Sequence, residues 1–254
     1  MKKIDVNVLG GHWPFRKLYK EGTACMRDYY NTEEVECGLM SSCDSIFFHD
    51  AFEGDEDLYQ QIIELGATRM VMTVNPKVPG WQKDLEYECE HFHICAVKVL
   101  PQYHNYGLED PDFNELVAKL EEKQLPLMLV MRMEDIRNSY LWPVSSLSTD
   151  SIRVLVKRVS IPVILLHALV GEVQQLADLL DGRHHFFVDT SGMRGATFPI
   201  EELLQSVSDE SILYGTSYPL LSEKASVYII EKAMISDETK EKLFYGNAKK
   251  LFCL

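Results

Sequence analysis

Pro126-Leu127-Met128-Leu129-Val130-Met131 and Pro162-Val163-Ile164-Leu165-Leu166 are apolar on consecutive residues, not on alternate ones. A strand with one wet face alternates, whereas a strand covered on both faces does not. Strands of the second kind belong to parallel sheets flanked by helices. Outward from this pair, runs of similar length and composition occupy residues 4–9, 45–48, 69–74, 94–100, 185–188 and 211–214. Between them, apolar residues recur at helical spacing over 57–65, 114–122, 151–159, 171–180, 200–207 and 224–233; stretches 237–244 and 247–252 close the chain. Pro111 suits a helix start and Gly182 a helix stop. Eight strands with helices between them is the order of an α/β, (β/α)8 TIM barrel, here with extra C-terminal helices. Residues 1–254 are expected to form that single domain. An open doubly wound sheet is the alternative, and the lack of GxGxxG after the first strand counts against its dinucleotide-binding version. The irregular stretches 10–32, 101–111 and 132–150 then follow strands one, four and five. They rise over the C-terminal face, where active sites of this fold sit.

The chain is 46% hydrophobic and 25% charged, as in ordinary globular proteins. Its net charge of −14 repels phosphate backbones and offers no polybasic membrane footprint. A small-molecule ligand is therefore expected, with no nucleic acid and no membrane partner. No apolar run approaches the ~20 residues that span a bilayer, and Met1-Lys2-Lys3-Ile4-Asp5 leads into structure without a signal segment. The six cysteines lack CxxC spacing and read as reduced thiols of a cytoplasmic protein. A homodimer is the default expectation for assembly.

The strand ends carry a resemblance. Ile4-Asp5-Val6-Asn7-Val8-Leu9-Gly10 is similar to an opening that usually reads Ile-Asp-x-His-x-His. Cys95-Ala96-Val97-Lys98-Val99-Leu100-Pro101 resembles a fourth strand, Gly215-Thr216-Ser217-Tyr218-Pro219 an eighth-strand Gly-Ser-Asp-x-Pro, and Tyr245-Gly246-Asn247-Ala248-Lys249-Lys250-Leu251-Phe252 a closing Gly-Asn-Ala-x-x-Leu-Phe. Together with Asn75-Pro76 after the third strand, and in this order, they make the chain similar to the amidohydrolase-2 family, which is built on a metal-dependent hydrolase-type TIM barrel. The resemblance implies a hydrolase or lyase acting on a small carboxylate or carbonyl compound. In the family, histidines and an aspartate at the strand ends hold a divalent metal such as Zn or Mn, which activates water and polarises a carbonyl. Here Asn7, Leu9, Val130 or Met131, and Ser217 stand at those positions, and His167 alone fits one. An altered or absent metal is the expectation, with His167 the ligand if any, and a non-catalytic, ligand- or partner-binding barrel is the competing reading.

Other groups near the mouth supply chemistry. Arg132 and Arg137 suit a paired clamp on a carboxylate or phosphate, and Glu134 or Asp135 a general base; the same residues suit a surface ion-pair network. His12, in Gly10-Gly11-His12-Trp13-Pro14-Phe15-Arg16, suits an acid–base role with Arg16 beside it, or else lies under an aromatic plug. Lys98 suits a substrate contact, or else an internal ion pair with Asp5, Glu134 or Asp189. His104 is a binding candidate, Asp189 a catalytic carboxylate or the organiser of a turn, and His167 the remaining catalytic candidate. His49, after 45–48, is a weaker one. His91, His93, His184 and His185 fall at the far end.

Overall fold

The computed structural model describes residues 1–134, 147–182 and 185–254. Among them, eight strands lie side by side in chain order, every pair parallel. They are β1 (Lys3–Gly10), β2 (Val35–Ser42), β3 (Thr68–Thr73), β4 (Ala96–Val99), β5 (Leu127–Val130), β6 (Val163–Leu166), β7 (Phe186–Asp189) and β8 (Ile212–Leu213). The chain after β8 turns back against β1: Val6 N donates to Tyr214 O at 2.9 Å, Leu9 N to Tyr218 O at 2.8 Å and Ser217 N to Asn7 O at 2.7 Å. The helices are α1 (Gly22–Glu33), α2 (Asp44–Phe47), α3 (Ala51–Leu65), α4 (Trp81–His91), α5 (Pro111–Lys123), α6 (Thr149–Arg158), α7 (Val170–Gln175), α8 (Pro199–Leu203), α9 (Glu223–Glu231), α10 (Asp237–Glu241) and α11 (Asn247–Phe252). This is the TIM barrel with added C-terminal helices that the sequence pattern implies.

The consecutive apolar runs divide as a two-faced strand must. Leu127, Leu129, Val163 and Leu165 pack outward with helix residues such as Phe113, Leu116, Ile152 and Leu155. Met128, Val130, Ile164 and Leu166 pack inward with Val6, Leu39, Val71, Ala96 and Leu213. Each such side chain, fully buried, contributes about 1.5–3 kcal/mol. Helix starts follow their local chemistry: Asp50 accepts from Phe52 N at 3.1 Å, Ser148 accepts from Asp150 N at 3.2 Å, and Pro111 opens α5.

The second strand differs from expectation. Residues 45–48 are not strand two: Asp44–Phe47 is one helical turn, held by Ser45 N on Ser42 Oγ at 3.2 Å. The strand is Val35–Ser42, whose apolar pattern is broken by Gly38 and by the buried Ser41 and Ser42. A Cβ at Gly38 would stand 1.9 Å from Tyr30 Oη of α1, so packing excludes a side chain there. His49 accordingly follows α2, not a strand. Helices α1 and α4 were not legible either. In α4 the buried face reads Trp81, Leu85 and Glu88, with a charged residue at an apolar position.

That glutamate is a cost to the fold. Glu88 is wholly buried and neither carboxylate oxygen has a hydrogen-bond partner among the described residues. Beside it, Asp55 of α3 is also buried, accepting from Ser45 Oγ at 2.7 Å and Thr73 N at 3.0 Å. Burial, then the negative charge of Asp55 and of Asp84, pushes the Glu88 carboxyl up. Its folded pKa therefore lies above its unfolded one, and the folded state binds the extra proton, so stability falls as pH rises beyond the ordinary carboxylate range. Glu88→Gln removes that dependence. Thermal denaturation should show the variant melting roughly 5 °C or more above the parent at pH 8, with the gap closing toward pH 4.5.

Candidate active site

Polar side chains interrupt the apolar interior where β1, β4, β7 and the turn after β8 end. Lys98 of β4, 1% exposed, donates from Nζ to Asn7 Oδ1 at 2.9 Å and Ser41 Oγ at 2.6 Å. Neither contact is with a carboxylate, so the expected direct ion pair with Asp5, Glu134 or Asp189 is not formed. Asn7 turns its Nδ2 toward Asp189 Oδ2 at 2.9 Å, Ser217 Oγ at 2.8 Å and Ser191 Oγ at 3.4 Å. Asp189 Oδ1 accepts the His167 backbone N–H at 2.9 Å, and Ser217 Oγ meets His167 Nε2. One hydrogen-bonded chain thus joins Lys98, Asn7, Ser217 and His167.

Asp5 is engaged below. It accepts from Tyr29 Oη at 2.7 Å, Thr216 Oγ1 at 2.5 Å, Thr216 N at 3.1 Å and Asn7 N at 3.1 Å. Burial pushes its carboxyl up to about 6 in spite of those bonds. Burial lowers Lys98 to about 8, against the pull of Cys43, Asp189 and Asp5. His167 is driven well below the usual imidazole range by burial and then by the charges of Arg194, Lys98 and Arg132. It is a neutral ring at neutral pH.

His167 and Ser217, which touch, both have left-handed backbones, at φ +59 and +57. Non-glycine residues held so cost about 1–3 kcal/mol each and cluster at functional sites. The surroundings fix His167 from both sides. Its carbonyl accepts from Arg132 Nη1 at 2.8 Å, and Arg132 also binds Glu172, which caps α7 through Leu169 N at 2.8 Å. Gly192, after β7, lies so close beneath that a Cβ would stand 2.3 Å from Ala168 O and 2.5 Å from His167 C.

A cavity of about 510 Å³ opens over the ends of β5, β6 and β7, lined by Arg132, Glu134, His167, Gly192 and Arg194 among others. The other side of the mouth is covered. Trp13, Phe15, Phe47 and Tyr103 meet edge to face, with centroids 5.3 to 6.1 Å apart. Trp13 Nε1 donates to Glu134 Oε1 at 2.8 Å, as does Arg16 Nε at 3.0 Å, while Arg16 Nη2 reaches Leu220 O at 2.6 Å. The loop after β1 is therefore strapped across the mouth.

Of the candidate residues, the structure brings Arg132, Glu134 and His167 to this cavity and Asn7, Lys98, Asp189 and Ser217 to the network behind it. Arg16 anchors the strap. His12 lies on the strap's outer side, its backbone N–H on Asp44 Oδ2 at 3.0 Å, beside a separate cavity of about 540 Å³ rimmed by Glu21, Asp44 and Glu64. His104 is half-buried with Nε2 on Ile46 O at 3.0 Å and holds α2 in place. Asp135, Arg137 and His184 lie outside the described residues. Arg194 and Ser41 were missed. The signal for Arg194 was its glycine-flanked place after β7, in Ser191-Gly192-Met193-Arg194-Gly195. Ser41 had none, because its strand was not recognised.

Solved structures with this fold include a putative amidohydrolase from Staphylococcus aureus, 16% identical with TM-score 0.75 over 100% of both chains. A dihydroxybenzoic acid decarboxylase from a Polaromonas species, with bound manganese and 2-nitroresorcinol, is 15% identical with TM-score 0.76 over 100% of this chain and 97% of its own. A probable 2-pyrone-4,6-dicarboxylic acid hydrolase from Acinetobacter baumannii, with citric acid bound, is 11% identical with TM-score 0.71 over 100% of both. No curated protein matches the sequence. The sequence model of the amidohydrolase family matches residues 60–254, from within α3 to the last residue, and on that match the chain belongs to the amidohydrolase family.

Proposed function

We propose that the protein is a hydrolase or lyase for a small carboxylate or carbonyl compound, held in the cavity over β5, β6 and β7. One observation carries this reading: a ligand-sized cavity joins two guanidiniums, Arg132 and Arg194, to a buried neutral imidazole, His167. Guanidinium forks suit a carboxylate, and a donor set held in a partly dry site is worth more than one in water. The decarboxylase and hydrolase of similar fold bear the names of small acids, which agrees with that choice. Glu134 lines the same cavity and is the carboxylate placed to act as base.

The reading includes a changed centre. A divalent ion needs converging imidazole and carboxylate donors. Here His167 Nε2 is engaged by Ser217, both Asp189 oxygens are bonded, and the Lys98 ammonium sits 2.9 Å from Asn7 Oδ1. That set does not fit a divalent ion. Lys98 supplies the positive charge in its stead, His167 and Arg194 contact the substrate, and Arg132, bound to Glu172, holds the His167 carbonyl.

Three measurements test this. Protein grown with added zinc and manganese should hold well under about one equivalent of either metal; a stoichiometric ion lost in His167→Ala would overturn the changed centre. In a screen of carboxylic acids and lactones, Arg194→Ala should raise KM roughly tenfold or more, the loss of one charge-assisted contact. A silent screen in which a carboxylate still raises the melting temperature would instead mark a ligand-binding barrel. The rate should also fall as pH rises through about 8, where Lys98 loses its proton. A rate that is flat to pH 10 would remove Lys98 from the chemistry.

A further inference from the structure

We infer that His167 presents an Nδ1–H donor to the cavity, in a tautomer set by Lys98, Asn7 and Ser217 acting as positioning residues. The inference rests on the cavity being the reaction site. An ammonium has donors only, so Lys98 makes Asn7 Oδ1 the acceptor of their 2.9 Å contact. That fixes the carboxamide, and its Nδ2 must donate toward Asp189 and Ser217. Ser217 Oγ therefore accepts from Asn7 and must place its own proton elsewhere. Ser217 is wholly buried, and the other side-chain atom its hydroxyl meets is His167 Nε2. A buried donor left without an acceptor costs about 1–3 kcal/mol. The Ser217 hydroxyl thus donates to Nε2, and Nε2 carries no proton.

A neutral imidazole has one N–H, which is left on Nδ1. Nδ1 has no partner among the described residues, and His167 lines the cavity. The ring is held in that pose by its left-handed backbone, by Asp189 on its N–H and by Arg132 on its carbonyl. Two consequences follow. His167 and the guanidinium of Arg194 present donors to the cavity, a set that takes a carboxylate or carbonyl oxygen. His167 also acts as an electrophile that polarises that oxygen and does not take a proton from the substrate, so the base is a different group. Neutral imidazole used as a hydrogen-bond donor to a substrate carbonyl is a known device.

Long-range ¹H–¹⁵N correlation spectra of histidine-labelled protein at pH 7.5 test this without any substrate. The expected result is a histidine signal with a pyrrole-type Nδ1 and a pyridine-type Nε2 that is missing from the spectrum of His167→Gln; a second such signal, from His91, whose Nδ1 meets Tyr87 O at 2.9 Å, should remain in it. In Ser217→Ala the His167 signal should move toward the Nε2–H form, and Ser217→Thr, which keeps the hydroxyl, should restore it. In turnover, Ser217→Ala should lower kcat at least roughly tenfold while KM changes less than about threefold, because the anion contacts remain. A pyrrole-type Nε2 in the parent, a doubly protonated ring, or no change in Ser217→Ala would overturn the inference. The parent and His167→Gln spectra together decide the matter even if Ser217→Ala fails to fold. An Nδ1–H tautomer in a protein whose turnover ignores His167→Gln and Arg194→Ala would leave the tautomer standing and remove the reaction site.

Discussion

A lysine ammonium inside an apolar barrel sets the terms for everything around it. Removing a charge from water costs several kcal/mol unless acceptors and opposite charge are close by. Lys98 has two acceptors, Asn7 and Ser41, and three nearby carboxylates, Asp189, Asp5 and Asp55. None of the carboxylates touches it, so each must be satisfied by other means. Asp5 takes four donors from Tyr29, Thr216 and Asn7, and Asp189 is bonded by Asn7 and the His167 backbone. The side chains of β1, β4 and β7 and of the turn after β8 are tied to one another by this accounting. A partly satisfied network would be worse than an apolar one.

The same atoms close the barrel. Thr216 reaches Asp5 through both its backbone and its hydroxyl, and Ser217 N reaches Asn7 O at 2.7 Å. Strand β8 is only Ile212–Leu213, too short to make the seam with β1 by ladder bonds. Backbone bonds from residues 214–218 and polar side chains at the mouth complete it. The centre of the candidate site and the closure of the fold are therefore one structure, and a substitution aimed at one reaches the other.

Much of the barrel was legible because strands such as β5 and β6 are covered on both faces, and continuous apolar runs record that directly. The closing Gly246-Asn247-Ala248 motif is legible for another reason: Asn247 Nδ2 donates to the carbonyls of Asp209 at 2.6 Å and Ile212 at 2.8 Å, so it pins the last helix to β8. Strand β2 hid itself because its far half serves the site, with serines where apolar residues would signal a strand. Helix α4 hid because Glu88 sits on its buried face. His167, Lys98 and Ser217 were found from their places at strand ends. How they connect was not, because the direction of each hydrogen bond depends on contacts between residues up to 210 positions apart.

The two halves of the mouth are built differently, and the difference bears on how a reaction would proceed. The donors over β5, β6 and β7 are fastened to rigid elements: Arg132 to Glu172 at the start of α7, His167 to Asp189 at the end of β7, Arg194 to Ser191 O at 2.9 Å. Their orientation is established on folding, so on the proposed reading little would be spent on ordering them for an anion. Glu134 is different, because two of its partners, Trp13 and Arg16, belong to the strap after β1. A change that loosens the strap alters the carboxylate in the cavity while leaving the donors where they are. On the proposed reading, anion recognition and proton removal would rest on separate supports, one fixed by the barrel and one by the loop that covers it.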